Sequence, residues 1–276
     1  MTGNRIRDSK RNPFFQVKVK DGKYSTENQV SYYGKKLPDD TFSFDISNQK
    51  VQANLDEFGT IRHITFFHGN YLMESKPGVW VAKDFVQEHQ LSISVKWNGQ
   101  TEKLCEHTKY VETDLAENLF PRCRHYFPWG EVTILATAPI TAKGERLSCL
   151  LYEVTVKNKG REAAEMTVCL PALYEKKYSD TRNVLMITAE SGTYQDVSFT
   201  LQPMEQKRVS LLFGDPNRYQ DIEMFLSKDT DFWMEQTLQY FQSLTGELKM
   251  EEDAMAGMLL QRAYQQAFGA FAMSGE

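Results

Sequence analysis

Phe213-Gly214-Asp215-Pro216, at the head of a stretch running to Thr245, divides the chain: the residues before it read as strand and those after it as helix. Asp215 stands where an N-cap belongs, and Pro216 at a first helical position, where its missing N–H costs nothing. Tyr219, Ile222, Phe225 and Leu226 then recur at helical spacing. A second helix is expected to carry Trp233, Thr237, Tyr240 and Leu244 on one face, with Trp233 in the core.

Towards the N-terminus the apolar residues alternate. Val209, Leu211 and Phe213, then Val197, Phe199 and Leu201, Met166, Val168 and Leu170, and the longer runs Leu147 to Val156 and Val132 to Ala138 read as strands. Leu91, Ile93, Val95 and Trp97 alternate up to Asn98-Gly99, and an extended run continues through Thr108. Asn-Gly supplies the two positive-φ positions of a type I′ turn, so a hairpin is expected there. Val51 to Leu55 and Ile61 to Phe67, joined by Glu57-Phe58-Gly59, predict another, and Phe42 to Ile46 and Phe15 to Val19 predict short strands. Many strands without intervening helices favour antiparallel sheets packed face to face over residues 13–214. Residues 1–12 carry Arg5, Arg7, Lys10 and Arg11 with little apolar content, which predicts a disordered arm.

Towards the C-terminus, residues 215–246 form a helical linker. Glu251, Glu252 and Asp253 open a last helix at the positive end of its dipole, a structural role rather than a catalytic one. In that helix Gln261, Arg262, Gln265 and Gln266 occupy a narrow stripe, and apolar residues surround it. Such a helix needs cover on most sides. Residues 247–276 are therefore expected to begin a helical domain or to bind a partner through Met255, Met258, Leu259, Tyr264, Phe268 and Phe271.

Of the 276 residues 41% are hydrophobic and 25% charged, as in a soluble globular protein. No run reaches the ~18 apolar residues of a membrane span and no secretion signal opens the chain, so a cytoplasmic protein with no membrane partner is expected. A net charge of −5 argues against a nucleic-acid surface. Cys105, Cys123, Cys149 and Cys169 lack CxxC spacing and read as structural thiols, and no histidine pair has helical ligand spacing. Neither a phosphate loop nor a nucleophile elbow is present, and no metal or other cofactor is expected.

The order of elements resembles the N-terminal half of two-domain carbohydrate-active enzymes, the disaccharide phosphorylases and bacterial glucoamylase-like hydrolases. Leu147-Ser148-Cys149-Leu150-Leu151-Tyr152-Glu153-Val154-Thr155-Val156-Lys157-Asn158, within Glu131 to Ala172, is similar to a strand pair of those proteins. Ser198-Phe199-Thr200-Leu201-Gln202-Pro203 through Phe213-Gly214 is similar to their last sandwich strands, with Met204 where the family has a turn glycine. Tyr219 to Leu244 resembles their helical linker, and Met250 to Met273 the first helix of their catalytic barrel. The resemblance implies a mainly β protein, an antiparallel two-sheet supersandwich of the galactose-mutarotase-like type followed by C-terminal linker helices. It also implies that the barrel's acid/base carboxylates have no counterpart here, so the chain is not catalytic by itself. The function it implies is support of assembly or substrate access for a helical glycoside hydrolase or phosphorylase, either as a subunit beside that partner or as a homo-oligomer.

Sugars present apolar C–H faces ringed by hydroxyls, so a site combines an aromatic platform with polar donors and acceptors. Trp80, Trp97 and Trp129 are the platforms of the β region. Trp129, in Phe127-Pro128-Trp129-Gly130 with Arg122, Arg124 and His125 upstream, is the foremost carbohydrate-binding or partner-facing candidate, against the plainer reading that it packs the sandwich edge. A stand-alone carbohydrate-binding protein is thus the alternative. A mutarotase-like epimerase is a third, needing an acid from His63, His68, His107 or His125 and a base from Glu57, Glu106 or Glu131.

Overall fold

The computed structural model of the chain describes residues 3–12, 16–20, 23–27, 44–66, 93–104, 108–170, 185–215, 218–245 and 253–270. The chain is mainly β, an antiparallel sandwich with a short helix near the N-terminus and three helices towards the C-terminal end among the described residues. The Asn98-Gly99 hairpin forms as its turn chemistry requires. Strands β6 (Ser94–Trp97) and β7 (Gln100–Lys103) flank a two-residue turn with φ of 45° at Asn98 and 82° at Gly99. Pairing continues one residue past β7, since the buried Leu104 donates its N–H to the Ile93 carbonyl at 3.1 Å; residues 105–107 of the expected run lie outside the described residues. A Cβ on Gly99 would meet nothing within 4 Å. Gly99→Ala is therefore expected to cost about 1 kcal/mol from backbone strain alone, read from a denaturant midpoint. A stabilising effect would contradict the turn geometry.

The organising sheet has eight strands: β1 (Gln16–Lys20), β2 (Lys23–Glu27), β8 (Tyr110–Ala116), β9 (Phe120–Phe127), β10 (Gly130–Thr137), β11 (Cys149–Asn158), β13 (Leu185–Thr188) and β15 (Gln206–Gly214). Their order is β13-β15-β11-β10-β9-β8-β1-β2, every pairing antiparallel. Period-2 alternation gives this sheet two distinct faces. On the inner face Cys123, Val132, Ile134, Leu150, Tyr152, Val154, Val209, Leu211 and Phe213 join one core. Two smaller sheets cover it: β14 (Val197–Leu201), β12 (Ala164–Cys169), β6 and β7 in that order, and β3 (Phe44–Ser47), β4 (Val51–Leu55) and β5 (Ile61–Phe66). The second layer of the sandwich is thus built in two pieces. Gly130 must be glycine, since a Cβ there would lie 2.1 Å from the Lys157 carbonyl oxygen.

On the outer face Leu135, Cys149, Leu151 and Leu212 form a second core with helices α1 (Gly3–Arg7), α2 (Tyr219–Leu226) and α3 (Thr230–Thr245). The described part of the expected arm, residues 3–12, is accordingly not disordered. From Gly3 onward they are ordered, with Ile6 fully buried against this core and the Arg7 guanidinium clamped on the Glu153 carboxylate at 2.5 and 2.6 Å. Composition missed it because a single apolar residue and long-range ion pairs hold the segment. Trp233 is core as expected, stacked on Phe225 and donating its indole N–H to the Phe225 carbonyl at 2.8 Å. Beside Trp233 and Thr237, the buried stripe of α3 runs through Met234, Leu238 and Phe241, while Tyr240 and Leu244 are half-buried.

Asp215 does not cap α2. Its N–H still pairs with the Ser148 carbonyl, so sheet pairing outlasts β15 by one residue, and the helix starts at Tyr219. Pro216 lies outside the described residues. Asp229 and Asp253 do take capping positions, accepting the N–H of Phe232 at 2.7 Å and of Ala256 at 3.0 Å. Asp253 precedes α4 (Ala254–Ala270), which crosses β3; Glu251 and Glu252 lie outside the described residues.

Candidate functional site

Strand parity separates residues that are neighbours in sequence. In β9, Cys123, His125 and Phe127 face the inner core while Arg122, Arg124 and Tyr126 face outward, so the cluster expected around Trp129 does not assemble. Trp129 itself is 4% exposed. It stacks between Phe127, at 5.1 Å, and Trp97, at 6.1 Å, and His125 lies over Phe127 at 6.4 Å. These four parallel rings are packing between the sheets, and they leave Trp129 no open face for a sugar. Trp97 is half-buried against the same core, and Trp80 lies outside the described residues.

His125 is a buried core histidine. Nε2–H donates to the Phe58 carbonyl at 2.8 Å, and Nδ1 lies 3.1 Å from the Thr108 hydroxyl. Burial pulls its pKa down to about 4, against the pull of the Phe58 carbonyl, so it is neutral at pH 7. For a mutarotase-like pair this is unsuitable: Glu131 is on the outer face and bound to Lys159 at 2.6 Å. Glu57 is fully buried; its carbonyl accepts the Thr113 hydroxyl at 2.5 Å. His63 sits on β5, and His68, His107 and Glu106 lie outside the described residues.

The outward residues of β8 and β9 build a charged layer instead. Arg122, fully buried, makes a two-pronged pair with Asp114 at 2.8 and 2.6 Å, and its remaining N–H groups bind the carbonyls of Arg7, Ser9 and Lys10. Glu112 accepts from Tyr126 at 2.8 Å, from Arg11 at 2.5 Å, and from the Tyr110 hydroxyl. Burial opposes its ionisation, but these phenols, Arg11 and Lys18 prevail and hold the carboxyl below its usual range.

A cavity of about 910 Å³ opens where the N-terminal segment, the β8–β9 turn, α3 and α4 meet. Its floor is apolar, with Leu115, Leu119, Leu238, Phe241 and Met258. Its wall joins the charged residues Arg5, Asp8, Lys10 and Arg11 to a chain of amides: Asn12 donates to Asn118 at 3.3 Å, and Asn118 donates to the Met258 carbonyl at 3.1 Å and to Gln261 at 3.4 Å. Glu117 and Asn118 make the turn with φ of 51° and 57°, a left-handed pair that costs strain and aims Asn118 at α4.

The buried side of helix α4 carries part of the polar stripe: Arg262, which donates to the Asp45 carbonyl at 3.1 Å and to Gln265 at 3.4 Å, and Gln265 are buried, while Gln261 is half-buried and Gln266 exposed. Ser47 and Gln49 donate to the Gly269 and Phe268 carbonyls. A Cβ on Gly269 would lie 2.8 Å from Ser47, so glycine permits this approach. Burial lowers the Arg262 pKa to about 10, only partly offset by Asp45. Facing away are Leu259, Leu260 and Tyr264, each more than 40% exposed, with Ala263 and Ala267 also exposed. Among the residues predicted for a partner, Leu259 and Tyr264 are therefore exposed and Met255 is half-buried. Met258 lines the cleft and Phe268 packs on Tyr240 and Phe241, so these two do not face a partner. Phe271 lies outside the described residues. Leu260, missed in the sequence, belongs to the exposed set.

No family model and no curated protein matches this chain. Its function is therefore argued from these surfaces alone. No helix among the described residues is long and apolar enough to cross a membrane, and those residues contain no group of three or more His, Cys, Asp or Glu side chains placed to hold a metal.

Proposed function

We propose that this chain is a non-catalytic subunit of a carbohydrate-active assembly and that it docks a helical partner on the outward face of α4. The observation that carries the reading is the packing of α4, which buries Arg262 and Gln265 and leaves Leu259, Leu260 and Tyr264 exposed. A single exposed leucine would be ordinary, but here Leu259, Leu260, Ala263, Tyr264 and Ala267 are contiguous on one helix face. Leu259-Ala263-Ala267 and Ala256-Leu260-Tyr264 are i±4 rows, and the alanines leave a groove between larger side chains. Such rows accept the ridges of another helix, which favours a helical occupant over a sheet edge.

Leu260→Asp and Tyr264→Asp test it. Both residues face solvent in the isolated chain, so stability is expected to stay within about 0.5 kcal/mol while association is lost. A photocrosslinker at Leu260, used in the chain's own cells, is expected to recover one helix-rich protein in stoichiometric amount, and the Asp variants to abolish it. Crosslinking to a second copy of this chain, or a loss of several kcal/mol in the variants, would overturn the reading.

The amide-walled cleft favours a second reading, direct carbohydrate binding. An apolar floor beside side-chain amides suits a ligand whose C–H faces and hydroxyls alternate. The test is a calorimetric titration with a saccharide panel against the chain and its Gln261→Ala variant; heats that are absent, or equal in both, count against this reading.

A further inference from the structure

The outer face of the large sheet holds a second cavity, about 250 Å³, between the N-terminal segment and strands β9, β10, β11 and β15. The strand register fixes its floor. Arg124 pairs with Thr133, Thr133 with Thr155, and Thr155 with Arg208, so one cross-strand row places two threonines between two arginines. Lys157 comes from the next outward row of β11.

Most carboxylates near this cavity are already engaged. Glu153 is held by Arg7, Asp231 by Arg7 and Arg208 at 2.6 and 2.7 Å, and Glu131 by Lys159. Asp114 is taken up by Arg122, so Arg124 reaches it only at 3.4 Å, on an oxygen that Arg122 also uses. Asp8 lies at the exposed rim. Lys157 and the Thr155 hydroxyl make no bond to another described residue. Burial lowers the Arg124 pKa against the pull of Asp114, with Arg122 adding to the effect, as expected of a cation short of counter-charge.

We infer that this cavity binds a phosphoryl group, held by the guanidinium groups of Arg124 and Arg208, the Lys157 ammonium and the Thr155 hydroxyl. Guanidinium forks match the paired oxygens of a phosphoryl group, and a hydroxyl supplies a further donor. The volume is below the roughly 300–1,000 Å³ of sites for whole drug-sized ligands, which suits a small group rather than a large molecule. The site lies on the sheet, away from α4, and does not depend on the docking reading.

The experiment is a titration of the full chain, monitored by backbone amide shifts at constant ionic strength set with chloride. One arm uses inorganic phosphate and the other glycerol phosphate. Saturable shifts at Thr133, Thr155 and Lys157 in either arm are expected, and the stronger arm identifies free or carried phosphate. Lys157→Gln, at a half-buried position outside the paired network, is expected to weaken binding at least tenfold with the fold intact, and Arg124→Gln to do the same. Linear, unsaturating shifts in both arms, or equal binding by wild type and Lys157→Gln, would overturn the assignment.

Discussion

Asp114→Ala is expected to destabilise the protein by about 3–5 kcal/mol, the cost of leaving a buried charge uncompensated. Asp114 and Arg122 have 1% and 0% side-chain exposure, so water cannot replace the lost partner. Asp114 also faces Arg124 and accepts the Asn12 N–H, so its removal strands two cations and one backbone donor. The loss should spread to the N-terminal segment, because Arg122 holds the carbonyls of Arg7, Ser9 and Lys10. Urea unfolding gives the magnitude, and amide exchange of residues 3–12 should accelerate more than that of β10 or β11. The paired substitution Asp114→Leu with Arg122→Met removes both charges and should cost less than Asp114→Ala alone. A single-variant loss under about 1 kcal/mol would mean that the pair is hydrated and does not anchor the segment.

That anchoring explains where sequence reading fails in this chain. Alternation at Val132, Ile134 and Ala136 or at Val209, Leu211 and Phe213 is a local property, and each such run is a strand of the large sheet. The Asn98-Gly99 turn is local in the same sense. The N-terminal segment is different: Ile6, Arg7 and Arg11 are ordered by partners more than 100 residues away, which composition cannot reveal. Helix α4 misleads for another reason. Its polar stripe suggests a solvated edge, yet α4 crosses β3, where the Asp45 carbonyl needs a donor and Arg262 supplies it. Which side of an amphipathic helix is buried depends on the surface it meets.

The candidate site was partly legible in residues that were misassigned. Arg122 and His125 are close in sequence, but their odd spacing in a strand already puts them on opposite faces. Period-2 alternation around Cys123 and Phe127 would have sent His125 and the Trp129 loop inward, and Arg122 and Arg124 outward. What no pattern could supply is the cross-strand register that sets Arg124, Thr133, Thr155 and Arg208 in one row.

The inward histidine makes the chain sensitive to mild acid. With a folded pKa near 4 and an unfolded one near 6.5, the unfolded chain binds the proton first as pH falls, so stability drops across that window. The stabilisation is complete above pH 6.5, and by pH 4 about 3 kcal/mol should be gone, at roughly 1.4 kcal/mol per pH unit. Asp56 acts in the opposite sense. Burial outweighs its Arg62 pair and raises its pKa, so the folded state takes up that proton more readily as pH falls. Glu112 and Asp231 are held below the usual carboxylate range, and their contribution is lost only at lower pH. A comparison with His125→Gln isolates the histidine, because these carboxylates are common to both proteins and the amide can still donate to the Phe58 carbonyl. Wild type should lose about 3 kcal/mol more than the variant between pH 7 and pH 4, measured by urea unfolding at each pH. Parallel pH profiles would mean that His125 takes up a proton without leaving the core, and the ring stack of His125, Phe127, Trp129 and Trp97 would have to admit water to allow it.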